Sequence, residues 1–292
     1  MMSSILKETY DLHIHAGPDV ISRKCDDREV AKRMRLAGMC GGIIKCHFFE
    51  TAARAALIRK EFPDLEVFGG VALNKSVGGI NPAAVEKTAK MGGAIIWFPT
   101  MDARAFQTYK HRGDTAFDGS QLLVASNGAG DLLPETKEVL SLAAQYDLIV
   151  ATGHLSPEEG MMVIREGKKR GVRRMVLTHV EHPAIAYADE LRQEAVSLGA
   201  YIEHSYNNVW FGRCTLEEMA RQIRVVGCDH VILSSDFGQP EAPYFDAGME
   251  ECAGKLELLG FTMPELRTMM SENPAALLRD RNALHLPPRH FK

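Results

Sequence analysis

Long apolar runs are what this sequence of 292 residues most plainly lacks. No stretch approaches the ~18 consecutive apolar residues of a membrane span. The opening MMSSILKETYDLH holds no apolar run of the roughly 7–15 residues that a secretory leader needs, so no leader is expected. A basic excess is also missing. The 34 Lys and Arg stand against 38 Asp and Glu, for a formal charge of -4, and no Lys/Arg block precedes an apolar stretch. Neither a nucleic-acid partner nor a membrane is therefore expected. Cysteine is limited to six scattered residues with no CxxC. In a chain this long that reads as free or buried thiols in a reducing compartment, and the expected location is cytoplasmic. Low-complexity segments are absent, as are a GxSxG elbow and a P-loop, and Asn127-Gly-Ala-Gly130 lacks the strand-to-helix setting of a nucleotide loop.

What is present is alternation. Hydrophobic residues make up 46% of the chain, enough to fill a large core. Eight strand-length runs rich in Val, Ile and Leu fall at 9–15, 42–48, 66–73, 94–100, 148–154, 175–180, 201–206 and 231–237. Helix-like stretches lie between them at 28–37, 52–60, 83–90, 135–145, 158–169, 190–197 and 216–225. Asn81-Pro82 and Ser156-Pro157-Glu158-Glu159 carry a capping side chain and a first-turn proline. Gly38, Gly171, Gly199 and Gly227 follow helices where a left-handed cap is wanted. Such alternation implies parallel strands joined by crossovers. Eight units suit a closed (β/α)8 TIM barrel better than an open doubly wound sheet, and barrels of about 200–250 residues form one domain. The expectation is a single α/β domain over 1–292, with a core at about 9–278 and a tail at 279–292 whose end, 285–292, packs outside or frays. Segment 246–278 would hold the eighth crossover helix and a terminal one. The connection 101–134, with four glycines, is long enough to be a lid or binding loop at the barrel mouth.

Polar residues break the apolar runs at one place, their C-terminal ends: His13 and His15, His154, His179, and Asp236. Those ends converge on the mouth of a barrel. Residues two apart on a strand point the same way, so His13 and His15 face the mouth and Ile14 the helices. On the second strand Lys45 and His47 point inward by the same parity. Buried unpaired polar groups cost several kcal/mol, whereas imidazoles and a carboxylate together suit a divalent metal, zinc first, with manganese or iron also compatible.

This set resembles the amidohydrolase superfamily. The features are Asp11-Leu-His13-Ile-His15 on strand one, histidines closing strands five and six, an aspartate closing strand eight, and Ser271-Glu-Asn273-Pro274-Ala-Ala-Leu-Leu278, similar to an Asn-Pro-Ala-x-Leu stretch near the C-terminus. The resemblance implies a barrel metalloenzyme, usually a hydrolase of amides, esters, lactones or cyclic imides, and a homo-oligomer. Many two-metal relatives carry a lysine or glutamate at the end of strand four; here that strand reads Ile95-Ile-Trp97-Phe-Pro99-Thr100. One or two ions are both open. Lys45 would bridge a second ion or, by the plainer reading, serve as a cation near the site.

The expected metal ligands are His13, His15, His154 and Asp236, with His179 and Lys45 as further candidates. Asp236 would act as base then acid, and His179 would hold a second ion or stabilise an oxyanion. His47, Arg54, Arg104 and Glu203 are the expected contacts of a small anionic substrate; His204 is read as exposed or outward. Decarboxylation, in the manner of the aminocarboxymuconate-semialdehyde decarboxylase branch, is the alternative chemistry. A non-catalytic metal-binding barrel is the remaining one.

Overall fold

The computed structural model describes residues 5–278; the expected tail at 279–292 lies outside the described residues. Eight parallel strands follow in sequence order: β1 Tyr10–His15, β2 Gly41–Lys45, β3 Glu66–Ala72, β4 Ile95–Trp97, β5 Ile149–Ala151, β6 Arg174–Leu177, β7 Tyr201–Ser205 and β8 Val231–Ser234. The chain beyond β8 returns to β1. His15 N donates to Phe237 O at 2.8 Å and Asp236 N to His13 O at 2.9 Å, so the sheet closes and the open-sheet alternative falls. Helices lie between the strands: α1 Asp27–Ala37, α2 Ala52–Glu61, α3 Pro82–Lys90, α4 Arg104–Lys110, α5 Pro134–Gln145, α6 Pro157–Lys169, α7 Asp189–Ser197, α8 Tyr206–Trp210, α9 Leu216–Val226 and α10 Phe245–Leu258. The chain then turns through α11 Met263–Arg267 to α12 Asn273–Leu278. No helix among the described residues is long and apolar enough to cross a membrane.

The capping signals act as read. Asn81 accepts from Ala83 N and Ala84 N, and Ser156 from Glu159 N, each with proline in the first turn. Gly38 closes α1 in the left-handed conformation, whereas Gly227, with φ 81 and ψ 155, leaves that well while keeping a positive φ.

Two apolar layers follow from strand parity. Ile44, Val71, Ile96, Val150, Leu177, Ile202 and Leu233 pack outward against the helices. Ile43, Ala72, Ile95, Trp97, Ile149, Ala151, Val176 and Ile232 fill the barrel with Tyr10 and Leu12. The end away from the mouth is plugged by Ala275, Leu277 and Leu278 of α12. Asn273 Nδ2 pins that helix to Cys228 O and Val231 O at 2.8 and 2.7 Å.

One irregularity positions the site. The register of β1 on β2 slips between Asp11 and Ile14, a bulge that leaves two residues facing one. Tyr10 and Leu12 therefore point into the barrel, and so do His13 and His15. Unbroken alternation would have put one of these pairs outside.

Candidate metal centre

Most strands are shorter than the apolar runs; His13 and His15 lie on β1, Lys45 on β2 and Glu203 on β7, whereas the other candidate ligands lie just past their strands. β5 ends at Ala151, β6 at Leu177 and β8 at Ser234, and His154, His179 and Asp236 follow two or three residues later. His179 has φ 51 and Asp236 φ 54, left-handed values that non-glycine residues adopt only where surroundings enforce them. Gly153, with φ 60, precedes His154; a Cβ there would lie 2.1 Å from Phe98 O, so only glycine lets the two chain ends pass this closely. His47 likewise lies beyond β2 rather than on it.

His13 is at the centre. Its Nδ1 lies 3.1 Å from Glu203 Oε1, and its Nε2 lies 3.1 Å from Asp236 Oδ1 and 2.9 Å from Lys45 Nζ. His15 Nε2 is also 3.1 Å from Asp236 Oδ1, and His179 Nε2 is 3.7 Å from Asp236 Oδ2. Behind His179, Nδ1 meets Ser205 Oγ at 2.8 Å. Two groups bring ligand atoms together: His13, His15 and Asp236, and His13, His179 and Glu203.

Electrostatics fit a cation site. Burial alone would raise the Asp236 carboxyl, but His13 and His179 outweigh it and hold it well below the ordinary carboxylate range. Burial pushes His47, His154 and His179 well below their usual value and His15 down to about 3, so these rings are neutral, as ligands must be. Burial also brings Lys45 down to about 8. Burial and Lys45 press on His13, yet Asp236 and Glu203 carry it up to about 9. Lys45 and His13 cannot both direct a proton into one 2.9 Å contact, so the pair shares one. A divalent ion displacing that proton would meet three imidazoles and a carboxylate backed by a second carboxylate, a donor set that fits such an ion.

The other candidates are placed unevenly. His154 joins neither ligand group; its ring packs 4.5 Å from Phe106 and 5.5 Å from His179, and its buried Nδ1 has no partner among the described residues. His47 stacks 4.8 Å from His15, with Nδ1 2.9 Å from Thr100 Oγ1. Glu203 is buried beside His13, a position that makes it a support for that ring rather than an open substrate contact. Lys45 faces inward as its parity requires, 5.1 Å from the Trp97 ring. Arg54 corrects the expectation set for it: its guanidinium holds Asp27, Ala16 O and Pro18 O, clamping the loop after β1. Arg104 is exposed at the start of α4, its side chain without a hydrogen bond or ion pair among the described residues.

The long connection carries α4, which the loop reading lacked, and lays Phe106 over His154 and His182. Sequence reasoning missed Arg23 and Asp19. Arg23 Nε donates to Asp19 Oδ2 at 2.7 Å, and its Nη2 lies 3.2 Å from His15 Nδ1. It also missed Glu181, which holds outward-facing His204 at 3.0 Å and accepts from Ser205 N and Asn208 Nδ2. His204 is buried, not exposed. Nothing in a loop's composition marks such residues; an acid two residues after His179 was the only available signal.

No curated protein matches this sequence. Among solved structures, an amidohydrolase from Pseudomonas aeruginosa is similar, at 15% identity and TM-score 0.65 over 95% of this chain and 97% of that one. A 2,6-dihydroxybenzoate decarboxylase from Rhizobium is 12% identical, TM-score 0.58, over 93% and 98%. A variant organophosphorus hydrolase from Deinococcus radiodurans is 12% identical, TM-score 0.57, over 94% and 95%. These neighbours are enzymes of the amidohydrolase superfamily, and at such identities the likeness is one of fold. Residues 8–203 match DUF6282, a family of unknown function, and the chain belongs to that family.

Proposed function

We propose that this protein is a metal-dependent hydrolase acting on an amide, ester, lactone or cyclic-imide bond of a small anionic molecule. The observation that carries the reading is Asp236, an ionised carboxylate on a left-handed backbone at the barrel mouth, within 3.1 Å of two imidazoles. His13, His15, His179 and Asp236 would hold the ion, with zinc the first candidate. A bound divalent ion supplies a Lewis acid and lowers the pKa of water to about 7. Asp236 then accepts the attacking water's proton on a carboxylate oxygen and returns it to the leaving group. Glu203 keeps the proton of His13 on Nδ1. Lys45 and Arg104 offer positive charge to an anionic substrate, and Phe106 over His154 limits entry of water.

Decarboxylation is the second reading, favoured by one observation: β4 ends at Trp97 with no acid or lysine, which suits a single ion. Two measurements test the proposal. Metal analysis of the native chain should find about one equivalent of divalent ion. With a turned-over substrate, heavy oxygen from labelled water should enter the product; CO2 release without that label would replace hydrolysis by decarboxylation. Asp236→Asn should keep the fold while turnover drops at least a hundredfold, and full activity in that variant would sink the assignment.

A further inference from the structure

We infer that the substrate carries a free carboxylate besides its scissile bond, and that Arg213 is the residue that takes it. The inference rests on the reading of the mouth as a metal centre and names one anchor for the anionic substrate of that reading. Arg213 follows α8 in the connection that leaves β7, so it stands at the same end of the barrel as the candidate ligands. Its Nη1 donates to Asn207 Oδ1. Asn207 is buried, and its amide is held at the other end as well, where Nδ2 donates to Asp236 O at 2.9 Å. A single side-chain amide thus separates the guanidinium from the backbone of Asp236. The turn itself is tied down, because Arg213 N and Cys214 N both donate to Asn208 O, at 2.8 and 3.2 Å.

The partners of the arginines near the mouth decide which of them is available. Arg23 is neutralised by Asp19 and Arg54 by Asp27. Arg213 forms no ion pair among the described residues, and its bond to Asn207 uses Nη1. The edge formed by Nε and Nη2 stays open. In Arg33, Arg35, Arg165 and Arg174 it is this edge that grips both oxygens of a carboxylate. Two parallel N–H donors in one plane suit a carboxylate, and one positive charge balances it, whereas a phosphate dianion calls for a second cation. The Arg213 guanidinium carbon also lies 5.0 Å from the centre of the Phe211 ring, which restricts the fork before anything binds. Burial, and after it the Arg213 charge, holds His182 below its ordinary value. The His182 ring lies 5.7 Å from Phe106 and 6.2 Å from Tyr109, and Phe106 also lies over His154. The rings of α4 would therefore cover the body of a substrate that spans from the ion to Arg213.

Calorimetry on the zinc-loaded full chain tests the anchor with simple acids. Malonate, succinate, glutarate and adipate are each compared with the monocarboxylate of equal carbon count. The series varies the span between two carboxylates, one for the ion and one for Arg213. At least one diacid should bind about tenfold or more tightly than its monoacid, as a charge-assisted bidentate pair allows. Arg213→Met should abolish that preference with zinc affinity and Tm unchanged. Arg213→Lys, which keeps the charge and loses the planar fork, should restore only part of it. Arg112→Met removes an equal charge from the end of α4 and should keep the preference, which separates an anchor from the general field of the mouth. A chain that takes up zinc yet shows no diacid preference, keeps it in Arg213→Met or loses it equally in Arg112→Met overturns the inference and leaves the metal centre standing. Inorganic phosphate that binds more tightly than every diacid, and does so through Arg213, overturns the carboxylate as the class recognised. Failure of the native chain to take up zinc overturns the metal centre and the inference together.

Discussion

Replacing Arg54 by methionine separates a structural clamp from a substrate contact. The guanidinium donates to Asp27 at 2.8 and 2.6 Å, to Pro18 O at 2.8 Å and to Ala16 O at 2.9 Å. Removing one partner of a fully buried ion pair costs about 3–5 kcal/mol. Arg54 and Asp27 are 16% and 10% exposed, so solvent takes up part of the loss and about 2–3 kcal/mol remains. At roughly 2–4 °C per kcal/mol for a chain of this size, Tm should fall about 5–10 °C. The pH dependence has a definite sign. Burial holds the Asp27 carboxyl above its ordinary value although Arg54 pulls it down; without Arg54 it rises further. An acid whose folded pKa exceeds its unfolded one binds more protons folded, so its contribution to stability is lost as pH rises from the unfolded value, about 3.9, through the folded one. The gap between Arg54→Met and native protein should therefore be widest at neutral pH and narrow toward pH ~4 as Asp27 protonates. Urea and thermal unfolding across that range reads it. A gap that is absent or independent of pH refutes the reasoning, and lost substrate affinity at native stability would restore Arg54 as a substrate contact.

Three further outcomes follow from the same geometry. Glu203→Ala removes the acceptor of His13 Nδ1 and should weaken zinc about 10–100-fold in chelator competition, with Glu203→Gln falling between it and native; native affinity in both would remove Glu203 from the centre. Lys45→Met should keep one equivalent of metal and bind it at least as tightly, because a cation beside the ion is gone; a drop from two equivalents to one would make Lys45 a bridging ligand instead. Phe106→Ala should raise KM severalfold with metal affinity unchanged, and an unchanged KM would show that α4 does not cover bound substrate.

Barrel and mouth were legible in the sequence for one physical reason. A strand buried on both faces has no use for polar residues, so histidine or aspartate at the ends of such runs stands out, as at His13, His15, His179 and Asp236. Parity then placed Lys45 inward without further information. What failed was whatever depends on loop conformation. Arg54 and Arg23 are both arginines a few residues past a strand, indistinguishable by pattern, yet one clamps Asp27 and the other reaches His15. His154 followed an apolar run like the others, but its ring comes to rest against Phe106, outside both ligand groups.

The run lengths misled in an instructive way. Each apolar run was read as strand to its last residue, whereas the ladders of β2, β4, β5, β6 and β8 stop three residues earlier and the backbone turns left-handed at His179 and Asp236. Had β6 and β8 continued as ladder, their side chains would alternate inward and outward. His179, one residue out of phase with inward-facing Val176, would then face the helices. The left-handed turn brings it back to the mouth. The bulge in β1 does the same for His13 against Tyr10 and Leu12. In both places regular pairing is given up so that the barrel keeps an apolar interior while its rim gathers imidazoles around one carboxylate. Such strained conformations cost about 1–3 kcal/mol each, and the hydrogen bonds holding them, between His179 Nδ1 and Ser205 Oγ and from Asp236 N to His13 O, belong to the same cluster that would bind the ion.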